Sequence, residues 1–361
     1  MKKRWIKRVI MFLVCMCMLG FGKMYTVQAD TTKNMQLNKE YVVNMDRTEQ
    51  IYKLTIPANG VLNISGSGTE YIYLALQDGS GNVKMSKDSY EHNGTLSLPS
   101  YGVKKGSVVY LKVSSGGTSS TETFKAAFKK TNTWEQQAND TKKQAQTISP
   151  KVMYQGNIHS VDDKDYFKFT LKKTSKVTFS IGQSLDDGNY HNWKATLYNS
   201  KGKSKCIYSV NYETAKMKKS SYYLKKGTYY LQIASISGNT LEELPYKISY
   251  QVKAAKVKTP TIQSVKVKKG YDIYKPVVNI ASMKVKGAGS FSGYDIRIAK
   301  KANMDKIVYK GKVNWNKSKA FSVETNMGKQ KSYYIRVRAY MKTPFKEYIY
   351  SGFSNTKKAK L

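Results

Sequence analysis

A period of two runs through most of the chain. The stretches YKLTIPANGVLNIS (52–65), VVYLKV (108–113), DYFKFTL (165–171), KVTFSI (176–181) and YYIRVRAY (333–340) alternate apolar with polar residues and are rich in Tyr, Phe, Val and Ile. Alternation puts every second side chain on one face, so each stretch predicts a half-buried strand. Gly, Ser, Asn and Asp clusters separate them. Strands this short and this frequent predict an all-β chain of tandem β-sandwiches, not a parallel sheet covered by helices. The one helix-like piece is WEQQANDTKKQAQTI (134–148).

The pattern also repeats. QIYKLTIPANGVLNIS from Gln50 aligns without a gap on DYFKFTLKKTSKVTFS from Asp165, matching Leu54 with Phe169, Ile56 with Leu171, Leu62 with Val177 and Ile64 with Phe179. Further on, LALQDGSGN (74–82) matches ATLYNSKGK (195–203), KKGSVVYLKV (104–113) matches KKGTYYLQI (225–233), and FKAAFKK (124–130) matches YKISYQV (246–252). Four blocks in one order predict two related modules, 30–130 and 131–253. Pro260 in KVKTPTI marks another boundary. Residues 254–361 then hold about seven short strand signals, the spacing of an immunoglobulin-like sandwich.

The ends and the charge narrow the class. Residues 1–29 combine a basic start, MKKRWIKR, an apolar core, VIMFLVCMCMLGFG, and the small-residue site VQA before Asp30, the layout of a secretory signal peptide. No later segment is apolar enough to span a membrane. The leader carries six basic residues and no acid, which takes the formal charge from +38 to +32 over the remaining 332 residues. Cys206 is then the one cysteine left, so no intramolecular disulfide can form in an exported chain. Of 62 basic residues six are Arg, at 4, 8, 47, 297, 336 and 338. Lys is a hydrated point charge and Arg the bidentate phosphate and base reader. A lysine-rich strand surface blunts edge pairing and also attracts polyanions at long range. Nucleic acid is not expected as a partner, since no recognition motif accompanies the charge.

Against so few acids, DDKDYFKFTL (162–171) stands out: Asp162, Asp163 and Asp165 fall within four residues, directly before a strand. One reading is a turn whose Asp side chains accept backbone amides while Lys164 and Lys168 balance charge. A second draws on a resemblance. EQQANDTKKQAQTI, DDKDYFKFTL and LKKGTYYLQI, in that order, resemble the bacterial pre-peptidase C-terminal domain. Its acidic lead is degraded here, with Gln137 in place of Glu and Ala138 in place of Pro. Residues 31–130 look like a divergent copy without that lead. Residues 254–361 resemble fibronectin type III through YYIRVRAY and YSGFSNTKKAKL, without the early-strand Trp of that family. The resemblance implies two jelly-roll-like sandwiches and one fibronectin type III-like sandwich, and binding of carbohydrate, protein matrix or cell surface. Some relatives bind calcium where the acidic lead meets the Asp-rich turn. Carried over, the ligands are Glu135, Asn139, Asp140, Asp162, Asp163 and Asp165, hard oxygen donors of the kind calcium takes.

Catalytic signals are absent from the sequence. His92, His159 and His191 lack zinc-ligand spacing. There is no Gly-x-Ser-x-Gly elbow, Cys206 has no partner block, and SSGGTSS (114–120) lacks the lysine of a phosphate loop. Three adjacent acids before a turn do not provide the dry, raised-pKa acid of a hydrolase. The aromatics Tyr190, Trp193, Tyr208 and Tyr212 are candidates for stacking on sugar, or core residues of their strands. The expectation is an exported, non-catalytic protein of Gram-positive type. It would bind an anionic cell-wall polymer, polysaccharide or extracellular protein, with calcium as candidate cofactor. The alternatives are an accessory, substrate-targeting component of a secreted peptidase, or a structural spacer.

Overall fold

The computed structural model describes residues 32–89, 94–183, 191–213, 216–236, 244–272, 275–286, 291–314, 320–323 and 332–360. Among these residues every regular element is a strand. The first sandwich comprises β1 (Lys33–Asn34), β2 (Glu40–Met45), β3 (Glu49–Thr55), β4 (Gly60–Gly68), β5 (Ile72–Gln77), β6 (Val83–Ser89), β7 (Thr95–Ser97), β8 (Tyr101–Val103), β9 (Val108–Ser115) and β10 (Ser120–Lys130). The second comprises β11 (Gln146–Thr147), β12 (Tyr154–Ile158), β13 (Lys164–Leu171), β14 (Ser175–Gly182), β15 (His191–Asn199), β16 (Ser204–Glu213), β17 (Lys218–Leu224), β18 (Gly227–Ser235) and β19 (Leu244–Ala254). The third comprises β20 (Thr261–Asp272), β21 (Lys275–Lys286), β22 (Gly293–Ala299), β23 (Ile307–Asn314), β24 (Ala320–Val323), β25 (Ser332–Lys342), β26 (Tyr348–Tyr350) and β27 (Lys357–Lys360).

The first two sandwiches share one plan. The first stacks a sheet β1-β3-β9-β5-β6 on a sheet β2-β10-β4-β7, with β8 also on β4. The second stacks β11-β13-β18-β15-β16 on β12-β19-β14-β17. Each opens with a two-residue strand running parallel to the long strand beside it, at Lys33↔Tyr52 and Gln146↔Phe167. Side chains that alternate inward fill both cores. Leu54, Ile56, Leu62 and Ile64 are buried in one, and Phe169, Leu171, Val177 and Phe179 in the other. Burying each contributes about 1.5–3 kcal/mol before the entropy of ordering is subtracted. The hairpin after β5 and the one after β15 use the same device. Asp78 Oδ1 accepts the amides of Ser80 and Asn82 at 2.9 and 3.1 Å, and Asn199 Oδ1 accepts those of Lys201 and Lys203, both at 3.0 Å. Gly81 and Gly202 take the left-handed step at φ +82° and +80°, where a side chain would be strained.

The third sandwich sets β20-β21-β24 against β23-β22-β25-β26, with β27 on β25. Ile262 and Met283 from one sheet meet Tyr294, Ile296, Ile335 and Val337 from the other. Its first two strands form a long antiparallel pair, from Thr261↔Lys286 to Asp272↔Lys275.

Residues 134–148 form no helix. Trp134 bridges Gln155, residues 141–144 form a turn, and Gln146–Thr147 become β11. Its Gln, Lys and Ala residues favour a helix, but buried contacts of Glu135 and Asn139 outweigh that weak preference. The sandwiches touch. Ser100 and Tyr101 at β8 meet His159 after β12. Phe345 of the third unit enters the second core and stacks on Tyr229, with ring centroids 6.1 Å apart.

Candidate functional site

Two segments far apart in sequence converge at the edge of the second sandwich. Asp165 enters at the start of β13, where the inward alternation of Phe167 and Phe169 begins, opposite Ile233 of β18. Glu135 is fixed by its backbone: its amide donates to the Gln155 carbonyl at 2.8 Å, and the Gln155 amide donates to the Thr133 carbonyl at 2.8 Å. Both carboxyl groups are fully buried. Tyr246 of β19, paired with Gly156 of β12, places its hydroxyl 2.7 Å from Glu135 Oε2 and 2.7 Å from Asp165 Oδ2. A Cβ at position 156 would overlap both that hydroxyl and the Glu135 carboxylate, so only glycine leaves room. The Asn157 amide donates to Glu135 Oε1 at 3.2 Å.

The hydroxyl supplies one proton, so a second must sit on a carboxyl to keep three close oxygens in contact. Burial pushes both acids upward; the Asp163 charge adds to both, the Glu135 charge adds at Asp165, and the His159 charge works against the rise at Glu135. The pair therefore shares a proton in the hydrogen bond between Asp165 and Glu135. Gln137 adds a long contact from Nε2 to Asp165 Oδ1 at 3.5 Å.

An outer layer surrounds this pair. Asp140, Asp162, Asp163, His159, Lys84 and Tyr101 line a cavity of about 180 Å³ that opens to solvent between the first two sandwiches. The His159 amide and Nδ1 lie 2.8 and 3.2 Å from Asp163 Oδ2, and Nε2 lies 3.1 Å from the Ser100 carbonyl. Both ring nitrogens face acceptors, which favours the doubly protonated imidazolium. Burial opposes that charge, but the Asp163 hydrogen bond and the Glu135 and Asp163 carboxylates outweigh it and raise the His159 pKa. Asp140 is raised too, by burial and then by Asp163, with Lys84 pulling the other way. Asn139 is fully buried, and both of its side-chain polar atoms lack a partner among the described residues.

Glu135, Asn139, Asp140, Asp163 and Asp165 are thus brought together, with Asp162 exposed at the cavity rim. The donors are hard oxygens, and the orphaned Asn139 Oδ1 is a buried acceptor of the kind calcium uses. As arranged, however, no three His, Cys, Asp or Glu side chains among the described residues surround one point with metal spacing. Tyr246, His159, Asn157 and the first sandwich's Ser100 and Lys84 belong to the cluster and were not foreseen as members of it. Tyr246 reads as one more alternating strand residue, and no sequence signal ties residues 84–101 to residues 135–165.

The sugar-stacking expectation for Trp193 and Tyr208 is corrected. Trp193 is 0% exposed and Tyr208 5%, their rings pack 4.8 Å apart in the second core, and neither can offer a face to a ligand. Their strands turn these positions inward by the same alternation that buries Ala195 and Val210. Tyr190 lies outside the described residues, as does the side chain of Tyr212, whose backbone belongs to β16. Cys206 is exposed, with its thiol 3.3 Å from the Tyr208 carbonyl.

No protein-family model matches the chain. No curated protein matches it either. Among solved structures, the chain is similar to the pre-peptidase C-terminal domain of collagenase from Bacillus anthracis at 14% identity and TM-score 0.24, over 30% of this chain and 94% of that one. It is also similar to the M60 catalytic domain with the CBM51-1 and CBM51-2 domains of ZmpB from Clostridium perfringens, at 9% identity and TM-score 0.22, over 60% of this chain and 34% of that one. A third similarity is to the CUB1-EGF-CUB2 region of human MASP-1/3, at 9% identity and TM-score 0.17, over 60% of this chain and 100% of that one. Likenesses this low assign no activity. Among the described residues no helix is long and apolar enough to cross a membrane.

Proposed function

We propose that this chain is an exported, non-catalytic binding protein, held on anionic polymers of a cell surface or matrix by its lysine-rich exterior. The observation that carries this reading is where the acids go. Glu122, Glu135, Asp165 and Asp295 are buried, and Asp78, Glu49 and Glu347 are engaged by Lys84, Lys112 and Lys225. Turning acids inward leaves the exterior more cationic than the 56 basic residues (62 − 6 in the leader) and 24 acidic residues of the exported chain imply. The buried carboxyl pair also argues against hydrolysis. Glu135 and Asp165 are 0% exposed, so neither can approach a substrate atom.

Within this reading the carboxyl cluster takes up calcium in exchange for protons. The Glu135, Asp165, Asp163 and Asp140 carboxylates and the unpartnered Asn139 oxygen are the donors, and Tyr246 must withdraw its hydroxyl from between the first two. Calcium would supply charge compensation and lock residues 131–164 onto the sandwich. Millimolar calcium should then raise the melting temperature at neutral pH, and Asp165→Ala should abolish the rise. A flat response in the unmodified chain would remove calcium from the account.

The main reading is tested by co-sedimentation of residues 30–361 with purified Gram-positive cell walls across a salt series. Retention at low salt that fades above roughly 0.1 M, as the screening length falls below about 10 Å, is the expected result. Absence of retention even at low salt would exclude polyanion attachment.

A further inference from the structure

The seam between the second and third sandwiches carries a second, oppositely charged cavity. It measures about 310 Å³ and is lined by Lys176, Tyr223, Lys253, Lys256, Lys258 and Met341, together with the short Ala254 and Ala255. No acid lines it. Three of these side chains belong to one row across the sheet: Lys176 on β14 lies directly opposite Lys253 on β19 and opposite Tyr223 on β17. Like charges facing each other across antiparallel strands repel. Neither lysine pairs with a carboxylate among the described residues. Two more lysines are brought in by the connecting segment. Lys256 and Lys258 flank Val257, whose side chain is buried in the third core, so the segment is anchored where it passes the cavity.

The seam is a fixed one. Tyr223 packs against the third core, Phe345 enters the second, and Lys225 pairs with Glu347 at 3.3 Å. Four exposed lysines therefore line one concavity, and among the described residues no carboxylate pairs with any of them. The ligand that such a surface attracts is anionic. Ammonium groups approaching from several directions suit the round, multiply accepting surface of a phosphate better than a flat carboxylate, for which the planar guanidinium fork is the better match.

We propose that this seam cavity binds phosphate groups of an anionic polymer, with Lys176, Lys253, Lys256 and Lys258 neutralising charge and the Tyr223 hydroxyl donating one hydrogen bond. The proposal rests on the polyanion reading above and gives it an address. Because the cavity draws on both sandwiches, an occupied site also ties the second to the third.

The test is titration of residues 30–361 with linear inorganic polyphosphate at roughly 0.1 M salt. One variant changes Lys176, Lys253, Lys256 and Lys258 to Gln. A second changes four dispersed exposed lysines, Lys39, Lys87, Lys201 and Lys300, to Gln, for the same net charge. The seam variant should lose roughly tenfold in affinity and the dispersed variant less than about threefold. Lys176→Gln alone should lose about twofold with no fall in melting temperature, since it relieves a repulsion; this single variant guards against misfolding of the quadruple one. Equal losses in both quadruple variants would overturn the site while leaving the polyanion reading intact. No binding by the unmodified chain at low salt would overturn both. Vesicles containing phosphatidylglycerol form a further arm; if they bind more tightly than polyphosphate with the same lysine dependence, the polymer is the wrong source of the phosphate and the proposal falls.

Discussion

At the scale of single residues, the informative group is the proton shared by Glu135 and Asp165. Both carboxyls are raised by burial, so the folded protein holds a proton that the unfolded chain releases above the ordinary carboxylate range. The sign follows from linkage. A group whose folded pKa is raised contributes stability that is complete below the unfolded value and is lost as pH rises through the folded one. In calcium-free buffer the second sandwich should therefore weaken steadily from about pH 5 upward. Asp165→Asn keeps the shape, can donate to Glu135 as the protonated acid does, and carries no titrating proton. It should flatten most of that slope in urea unfolding measured across pH, whereas Asp165→Ala should cost about 3 kcal/mol or more at any pH by leaving Glu135 buried beside an empty place. An unchanged slope in Asp165→Asn would mean that the proton is not held there.

Strands show how one alternation serves two faces. On β25 the inward set Tyr333, Ile335, Val337 and Ala339 is core. The outward set presents Arg336 and Arg338 to a row of rings. Arg336 lies 4.2 Å from the Phe353 centroid, Arg338 lies 3.7 Å from Tyr350 and 4.7 Å from Phe353, and Lys312 lies 3.8 Å from Tyr348. Arg338 Nε also donates to the buried Asp295 Oδ2 at 2.8 Å, beside Arg297 at 3.1 Å. Arg338→Ala should cost about 1–3 kcal/mol, the sum of a lost ring contact and a partly stranded carboxylate. Arg338→Lys should recover less than half, because an ammonium cannot stack and fork at once; full recovery in denaturant unfolding would reduce the ladder to simple charge. Much at this scale was legible, since the period of two marks where Leu54, Phe169 and Val337 point. The segment 134–148 was not, because its conformation is decided by contacts to other strands: the Glu135 carboxylate meets Tyr246 and Asn157, and the Asn139 carbonyl accepts the Tyr166 amide. In the acidic cluster Asp162, Asp163 and Asp165 stood out by their spacing, Glu135, Asn139 and Asp140 were legible only through resemblance, and Tyr246 not at all, since a strand tyrosine whose hydroxyl bridges two acids has the same local pattern as one that does not. Trp193 and Tyr208 show the converse: loop-like neighbours in the sequence, but core positions once β15 and β16 pair.

At the scale of the molecule, the acidic cluster doubles as the joint between the first two sandwiches. The Ser100 carbonyl accepts Asn157 Nδ2 at 2.9 Å and faces His159 Nε2 at 3.1 Å, while Lys84 and Tyr101 reach the cavity from the first sandwich. Gly102 fits against the second sandwich so closely that a Cβ would overlap the Glu135 carbonyl. The groups facing His159 are Asp163 and Glu135, with Asp140 and Lys84 sharing the cavity. Its pKa is raised in the folded state, so the stability it confers is present below the unfolded value of about 6.5 and is lost as pH rises through the folded one. The carboxyl pair acts in the same direction. The joint should therefore be firm in mild acid and loosen in mild base. In calcium-free calorimetry of residues 30–361, the first two sandwiches should unfold in one transition near pH ~5.5 and in two near pH ~8.5. His159→Gln retains a neutral donor for the Ser100 carbonyl but no charge, and should show separate transitions at both pH values. A single transition in that variant at low pH would show that packing at Gly102 and Tyr101 joins the sandwiches without help from the imidazolium.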